Sequence, residues 1–441
     1  MDELKDTGVS IVRRLQDAGQ TAYFAGGCVR DQLRGVAPAD YDIATDATPE
    51  QVVDLFPNAR LVGAHFGVVI IREGEHMFEV ATFRNDGSYL DGRRPEQVEF
   101  STPEEDAQRR DFTINGLFFD PVADRLIDYV DGERDIEAGV IRAIGDPDAR
   151  FGEDHLRLMR AVRFAARFGY EIDPGTWSAL LEHAPSLARI SAERIRDEFS
   201  AILLNGHRVR GFDLLVESGL MAHVIPEILD LKGCEQPPQF HPEGDVFVHT
   251  RLMLSLLEGE PSLPLVLSVL LHDIGKPATY SYDEEAGRIR FNGHDKVGAE
   301  MAGRILRRLK YSNEVVGAVF AMVENHMVFK DVQNMRTAKV KRFMARPTYR
   351  DEMELHRVDC LGSWGGLDNY EFLHAKEEEF ANEPIIPPPL ITGTDLIERG
   401  WERGPAIGET LRRVQDLQLE GGLKSREEAL AWLEEHPPGA D

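Results

Sequence analysis

The chain is short of cysteine, of long apolar runs and of positive charge, and each shortage excludes something. Its three cysteines, Cys28, Cys234 and Cys360, are scattered, odd in number and without metal-ligand spacing. They make no disulfide framework and no thiolate metal site, and they fit a reducing, cytoplasmic compartment. No stretch approaches the ~20 apolar residues of a membrane span, so no membrane partner is expected. The opening "MDELKDTGVSIVRRL" reads as a charged amphipathic helix, not a secretory signal. With 50 Lys+Arg against 77 Asp+Glu the formal net charge is −27. That excludes a broad nucleic-acid-coating surface and leaves room for a local basic cleft. There is no internal repeat, and no low-complexity tract beyond the proline cluster in "NEPIIPPPL".

At 441 residues the chain has room for roughly two to four domains of ~100–200 residues each. Residues 1–145 mix helix and strand signals. Short runs rich in valine and isoleucine ("ADYDIAT", "ARLVGAHFGVVIIREG", "HMFEVATFR", "RLIDYVDG") read as strands. Residues 146–235 are helical. "EDHLRLMRAVRFAARFGYEI" puts Leu158, Val162, Ala165 and Ala166 at helical spacing, and "SAERIRDEFSAILL" opens on a cap at Ser191 with Glu193 in its first turn. The proline-bearing "CEQPPQFHPEGDVF" separates a third segment, 236–380, of apolar helices studded with histidine. Past the proline cluster, 381–441 form an acidic helical tail.

Chemistry begins at "ADYDIAT". Residues i and i+2 of a strand share a face, so Asp40 and Asp42 are expected to project together. Like charges so placed suit a divalent cation with hard oxygen ligands, Mg²⁺. Upstream, Gly26-Gly27 at a strand-to-helix turn leaves backbone N–H groups open to a phosphate, with Arg30 one turn into the helix. A Gly-Gly alone is most often only a tight turn. With Arg30 and the two aspartates it becomes a triphosphate grip beside a metal pair.

"FAGGCVRDQLRGVAPADYDIAT" resembles the first signature of bacterial class II tRNA nucleotidyltransferases (CCA-adding enzymes) and the related poly(A) polymerases. The similarity continues through "VGAHFGVVII", "FEVATFRNDGSYLDGRRPEQVEF", "RRDFTINGLFFD", "IDYVDGERDIEAGVIRAIGDPDARFGEDHLRLMRAVRFAARFGYEI" and "SAERIRDEF", covering nearly all of residues 20–205 in family order. It implies a polymerase-β-like α/β head, a helical neck and Mg²⁺-dependent addition of C, C and A to the tRNA 3′ end from CTP and ATP. By the same resemblance Asp40 and Asp42 match the metal carboxylates, and Glu79 is a candidate third acid. Gly27, Arg30 and Arg110 match nucleotide-phosphate contacts, and Asp111 a reader of the ribose. Asp154, Arg157, Arg160 and Arg163 match the neck positions that hold base and triphosphate. For Arg160, Arg163 and Arg167 a solvated helix face is the plainer alternative. "INGLFFD" departs from the family, with Gly116-Leu117 where alanine and methionine are usual.

A physical reading stands beside this. Cytosine and adenine share an edge with an amino donor next to a ring-nitrogen acceptor; uracil and guanine present a carbonyl next to an N–H. A carboxylate plus a guanidinium complements the first pair and leaves unpaired groups against the second. Asp154 and Arg157, at i and i+3, are expected on one face of a helix.

The third segment carries His249 ("VFVHTRL"), His272-Asp273 ("LLHDIGKP"), His294, His326 and Asp359. Adjacent His-Asp on an apolar helix, with further His and Asp at long spacings, resembles the HD phosphohydrolase superfamily. This implies His249, His272, Asp273 and Asp359 as ligands of one metal, and His294 and His326 as candidates for a second. Such a donor set suits Mn²⁺, Ni²⁺ or Fe, with Mg²⁺ an alternative. The activity implied is hydrolysis of 2′,3′-cyclic or terminal phosphates; the alternative is a retained fold without catalysis. "PPLITGTDLIERGWERGPAIGETLRRVQ" resembles the family's tRNA-contacting C-terminal region.

Three function classes follow: a CCA-adding enzyme, a poly(A) polymerase or an enzyme adding only A or only CC, and an HD phosphohydrolase with a non-catalytic RNA-binding head. The chain's acidity weighs against indiscriminate RNA tailing. The intact segment between "ATFR" and "RRDF" weighs against a CC-only product. The unbroken set Asp40, Asp42, Arg110, Asp154 and Arg157 weighs against an idle head. Oligomeric state is left open.

Overall fold

A computed structural model describes residues 3–62, 67–86 and 98–436. Most of "VGAHF" and the greater part of the segment between "ATFR" and "RRDF" therefore lie outside the described residues. Two compact units emerge, Met1–Leu229 with Arg308–Lys310, and Asp230–Arg307 with Tyr311–Asp441. Among the described residues no helix is long and apolar enough to cross a membrane.

The first unit is built on nine short strands: β1 (Ala22–Ala25), β2 (Ile43–Thr45), β3 (Ala59–Leu61), β4 (Val68–Glu73), β5 (His76–Thr82), β6 (Arg84–Asp86), β7 (Val98–Phe100), β8 (Leu117–Asp120) and β9 (Arg125–Asp128). Seven form a mixed sheet in the order β3-β4-β5-β2-β1-β8-β9, while β6 and β7 pair separately. Within the seven-stranded sheet every pairing is antiparallel except β2 with β5, and a separate parallel pair joins Val140–Ile141 to Glu171–Ile172. The strand expected over "ADYDIAT" is shorter than its pattern. Only Ile43–Thr45 is regular, and Asp40 and Asp42 lie in its lead-in. The lead-in still follows the sheet, because Ala25 N donates to the Asp42 carbonyl at 2.9 Å. The helix Glu3–Asp17 packs on the sheet through Gly8, where an added Cβ would come within 3.0–3.2 Å of the Phe24 and Phe78 rings.

The Gly116-Leu117 departure has a packing reason. A Cβ at Gly116 would sit 2.7 Å from Val130 Cγ2 and 3.1 Å from Ile144 Cδ1, so the neighbouring aliphatics fill the space an alanine would need.

After the sheet come the helices Pro147–Glu153, Arg157–Phe168, Pro174–His183, Ala192–Leu203 and Arg208–Glu217. Leu158, Val162, Ala165 and Ala166 are buried as their spacing requires. Ser191 is the N-cap residue of Ala192–Leu203, without a side-chain cap bond.

In the second unit the relevant helices are Val246–Leu256, Leu263–Leu271, His294–Arg308, Asn313–Asn325 and Tyr349–Gly362. A hairpin of Tyr280–Asp283 against Arg288–Phe291 interrupts the expected run of helices. The tail keeps a core of its own around Leu396, Val414 and Ala429.

Candidate functional site

A cavity of about 500 Å³ opens in the first unit where the C-terminal end of β1 meets the following helices. Its walls hold seven arginines (30, 84, 109, 110, 157, 160 and 194) against four acids, Asp42, Glu79, Asp111 and Asp154. In a chain of net charge −27 this is the local basic cleft, sized for a nucleotide.

The phosphate side grows from β1. Gly26 holds φ +69°, ψ −119° ahead of the helix Gly27–Leu33, backbone that only glycine adopts freely. A Cβ there would lie 2.8 Å from Arg110 Nη1. Gly26→Ala is therefore expected to cost about 1–3 kcal/mol of stability and to push Arg110 aside. Denaturant unfolding and the nucleotide KM check this; no change in either would show the turn to be dispensable.

Asn115 joins the two arginines beside that turn. Its Oδ1 accepts from Arg30 Nη1 at 2.6 Å and its carbonyl from Arg110 Nη1 at 3.1 Å. Its amide donates to Asp111 Oδ1 at 3.0 Å. Arg110 is also paired with Asp106, which holds Arg109 as well. Sequence reasoning passed over Asn115 and Asp106, although Asn115 lies inside the quoted "RRDFTINGLFFD".

The acidic side is set by the parallel register of β2 and β5. Ile43 stands opposite Val80, so Asp42 and Glu79, one residue earlier on each chain, are neighbours on the cavity face. Asp42 reaches solvent yet is enclosed by the walls. This partial desolvation, then the charges of Asp40 and Glu79, push its carboxyl up to about 6 against the pull of Arg110. Asp40 is exposed and outside the lining. Among the described residues, Asp40, Asp42 and Glu79 do not bring three ligand atoms within 4.8 Å of one another.

On the neck side one expectation is corrected. Asp154 and Arg157 do not share a helix. Asp154 ends Pro147–Glu153 in an extended conformation and its Oδ1 accepts from Leu156 N at 3.0 Å, while Arg157 opens the next helix. An aspartate that bonds two residues ahead replaces the helical pattern with a turn. Both residues line the cavity nonetheless, each held by a separate charge. Arg194 binds the Asp154 carboxylate at 2.7 and 3.3 Å. Arg157 meets Glu153 at 2.5 Å and the carbonyls of Arg150 and Arg109 at 2.9 and 3.0 Å.

Asp111 has little capacity left for a ribose. Its oxygens accept from Phe112 N, Asn115 Nδ2 and Arg160 Nε, and Arg160 together with Asn115 holds its carboxyl down to about 2 although burial would raise it. Arg163 is not on the cavity wall. Each step of three residues turns a helix by about −60°, and two such steps carry Arg163 round to Glu198, at 2.7 Å. Arg160 stays on the wall, and Gly27 lies beside the turn.

The second unit gathers the histidines. His249 Nε2 lies 3.1 Å from Asp359 Oδ1, and His272 Nε2 lies 3.0 Å from Asp273 Oδ2. Asp273 Oδ1 faces His294 and His326 at 3.4 and 3.9 Å, and its Oδ2 meets Lys276 Nζ at 2.6 Å. His272 closes the helix Leu263–Leu271, so His272-Asp273 follows that helix instead of lying within it. Among the described residues three sets, His241–Glu243–His249, His249–His272–Asp273 and Asp273–His294–His326, bring ligand atoms within 4.8 Å of one another.

The tautomers decide what this centre can hold. Nδ1 of His272, His294 and His326 sits 3.0, 2.8 and 2.6 Å from the carbonyls of Val269, Phe291 and Val323. A carbonyl accepts, so each Nδ1 carries the proton and each Nε2 turns a lone pair inward. Two of those lone pairs, on His294 and His326, face each other at 3.1 Å, and buried His272 Nε2 makes no hydrogen bond although Asp273 Oδ2 is 3.0 Å away. Burial above all pushes the His326 imidazolium down to about 4, so the ring is neutral. Lone pairs and carboxylates converging in a dry site fit a metal cation.

A cavity of this size, basic where a triphosphate would lie and acidic beside the central strands of a mixed sheet, belongs to a nucleotidyltransferase, and the comparisons agree. Family models match as "Poly A polymerase head domain" over residues 22–142, "Probable RNA and SrmB- binding site of polymerase A" over 169–231, and "HD domain" over 246–361. An A-adding tRNA nucleotidyltransferase of Deinococcus radiodurans is 33% identical over 438 residues, 94% of this chain and 96% of that one. A CCA-adding enzyme of Streptococcus suis is 30% identical over 425 residues, 95% of this chain and 94% of its own. The crystal structure of the Bacillus stearothermophilus CCA-adding enzyme in complex with CTP superposes with TM-score 0.74 at 27% identity, covering 99% of this chain and 98% of that one. The chain belongs to the tRNA nucleotidyltransferase and poly(A) polymerase family, and it is a nucleotidyltransferase that carries an HD domain.

Proposed function

We propose that this chain adds C, C and A to the 3′ end of tRNA from CTP and ATP with Mg²⁺, and that its second unit is a metal-dependent phosphohydrolase. One observation carries the first reading: a carboxylate and a guanidinium, Asp154 and Arg157, stand on the cavity wall, each held by its own counter-charge. Asp154 accepts the amino group of C or A, and Arg157 donates to the adjacent ring nitrogen. Uracil or guanine would set acceptor against acceptor and donor against donor. Because Arg194 and Glu153 fix the pair before a nucleotide arrives, little ordering remains at binding.

Arg30 and Arg110 take the triphosphate at the turn, and Asp42 and Glu79 on the cavity face, with Asp40 closing in from the same lead-in, would hold the cation. The terminal 3′ oxygen of the RNA bonds to the α-phosphorus as the bond to pyrophosphate breaks, and the arginines meet the charge that leaves. Bound Mg²⁺ supplies Lewis-acid stabilisation of that phosphoryl charge. The relative named for A addition, 33% identical over nearly the whole chain, supports a second reading in which only the final A is added. For the second unit, imidazole with carboxylate favours Mn²⁺, Ni²⁺ or Fe, with Mg²⁺ an alternative, and 2′,3′-cyclic or terminal phosphates are the substrates.

The test is single-nucleotide incorporation on tRNA with each NTP in turn. Wild type is expected to accept C and A and reject U and G. Arg157→Ala should slow C and A and weaken rejection of U and G by about 1–3 kcal/mol, roughly 5- to 150-fold. Equal loss with all four nucleotides would mean that Arg157 holds phosphate or fold and that selection lies elsewhere.

A further inference from the structure

We infer that Glu243 is a positioning residue of the histidine–aspartate centre, holding His249 so that its Nε2 faces Asp359. The inference rests on the proposal that this centre binds a metal. His272, His294 and His326 each sit at a helix end and place Nδ1 against the carbonyl three residues back. His249 lies within Val246–Leu256, where the equivalent carbonyl, Val246 O, already accepts from Thr250 Oγ1 at 2.8 Å. Its other neighbour, Gly362 O, is 3.4 Å from Nδ1. The close partner is a carboxylate from outside the helix. Glu243 Oε1 stands 2.7 Å from His249 Nδ1.

The carboxylate is itself fixed. His241 Nδ1 reaches the same oxygen at 2.9 Å, and the Glu243 side chain is only 8% exposed. A buried carboxylate on the far nitrogen keeps the proton on Nδ1, leaves Nε2 as the ligand atom and raises its basicity. The same proline-bearing stretch touches the centre a second time, since Gln236 Oε1 accepts from Lys276 Nζ at 2.6 Å and Lys276 holds Asp273. What reads in the sequence as a separator is thus part of the site. It lies ahead of the HD match, which begins at residue 246.

The experiment titrates Mn²⁺ into the full chain and follows the free ion by electron paramagnetic resonance, with Asp273→Asn marking the background without this centre. Circular dichroism melts of the metal-free proteins show that each variant is folded at the titration temperature. Glu243→Ala is expected to bind Mn²⁺ at the centre about 10- to 100-fold more weakly. Glu243→Gln, which keeps the shape and an acceptor but not the charge, falls between it and wild type, and it decides alone if Glu243→Ala does not fold. Wild-type affinity in the folded variants would overturn the positioning role while the metal reading stands. If wild type and Asp273→Asn take up Mn²⁺ alike, the metal reading falls and takes the inference with it.

Discussion

Asp42→Ala is expected to lower nucleotide addition by roughly three orders of magnitude or more while the protein stays folded. Losing a metal carboxylate forfeits several kcal/mol of transition-state stabilisation, and each ~1.4 kcal/mol is tenfold in rate. Folding should not suffer. The Asp42 carboxyl is raised from 3.8 to about 6, first by desolvation and then by Asp40 and Glu79. A carboxylate raised in the fold stabilises it only while protonated. That contribution is complete below about pH 4 and lost as pH rises through about 6, so ionised Asp42 is a burden at neutral pH. The alanine variant should therefore melt at or above the wild-type temperature at pH 8. Near-normal addition by the variant would remove Asp42 from the metal site, and a lower melting temperature would contradict the electrostatic account.

Asp273→Ala is expected to abolish metal-dependent phosphohydrolase activity. The residue sits between His272 and Lys276 on one oxygen and His294 and His326 on the other, so it belongs to two of the ligand sets at once. Burial would raise its carboxyl, but neighbouring His272 and the Lys276 ammonium hold it well below the usual range. Its loss also leaves buried Lys276 without its carboxylate partner, and breaking a buried pair costs about 3–5 kcal/mol. Asp273→Asn keeps the shape and should fold while still losing hydrolysis. The assay is release of phosphate, or opening of a 2′,3′-cyclic nucleotide, with Mn²⁺, Ni²⁺, Fe or Mg²⁺. Wild-type hydrolysis retained in Asp273→Asn would move the chemistry elsewhere. No hydrolysis by wild type with any of these ions would make the second unit structural.

What could be read from the chain was local. Gly26-Gly27 with Arg30 declares itself because a tight turn and a nearby guanidinium are adjacent in sequence, and Leu158, Val162 and Ala165 because a helix repeats every 3.6 residues. The histidines were legible as residue types. What stayed hidden depends on contacts across many residues. Arg194 reaches Asp154 from 40 positions away, and Asp111 meets Arg160 across 49. Without Arg160, Asp111 looks unpaired, whereas Asp154 leaves its helix through a local bond from Leu156 N that helical spacing does not announce. Arg163 lies off the cavity wall because spacing by three drifts steadily round a helix. Glu243 was hidden by its surroundings, since Pro237, Pro238 and Pro242 just ahead of it make the stretch read as a linker.

The central claim is that the cavity builds a defined three-nucleotide end. It is tested by incubating tRNAs that end before, within or after CCA with CTP and ATP in Mg²⁺, alone and together, and sequencing the products. The account predicts two C residues from CTP alone on the tRNA that lacks CCA, one A after CC, and no extension of the completed end. An A tail without a stop, or A added only to CC ends with no use of CTP, would contradict it.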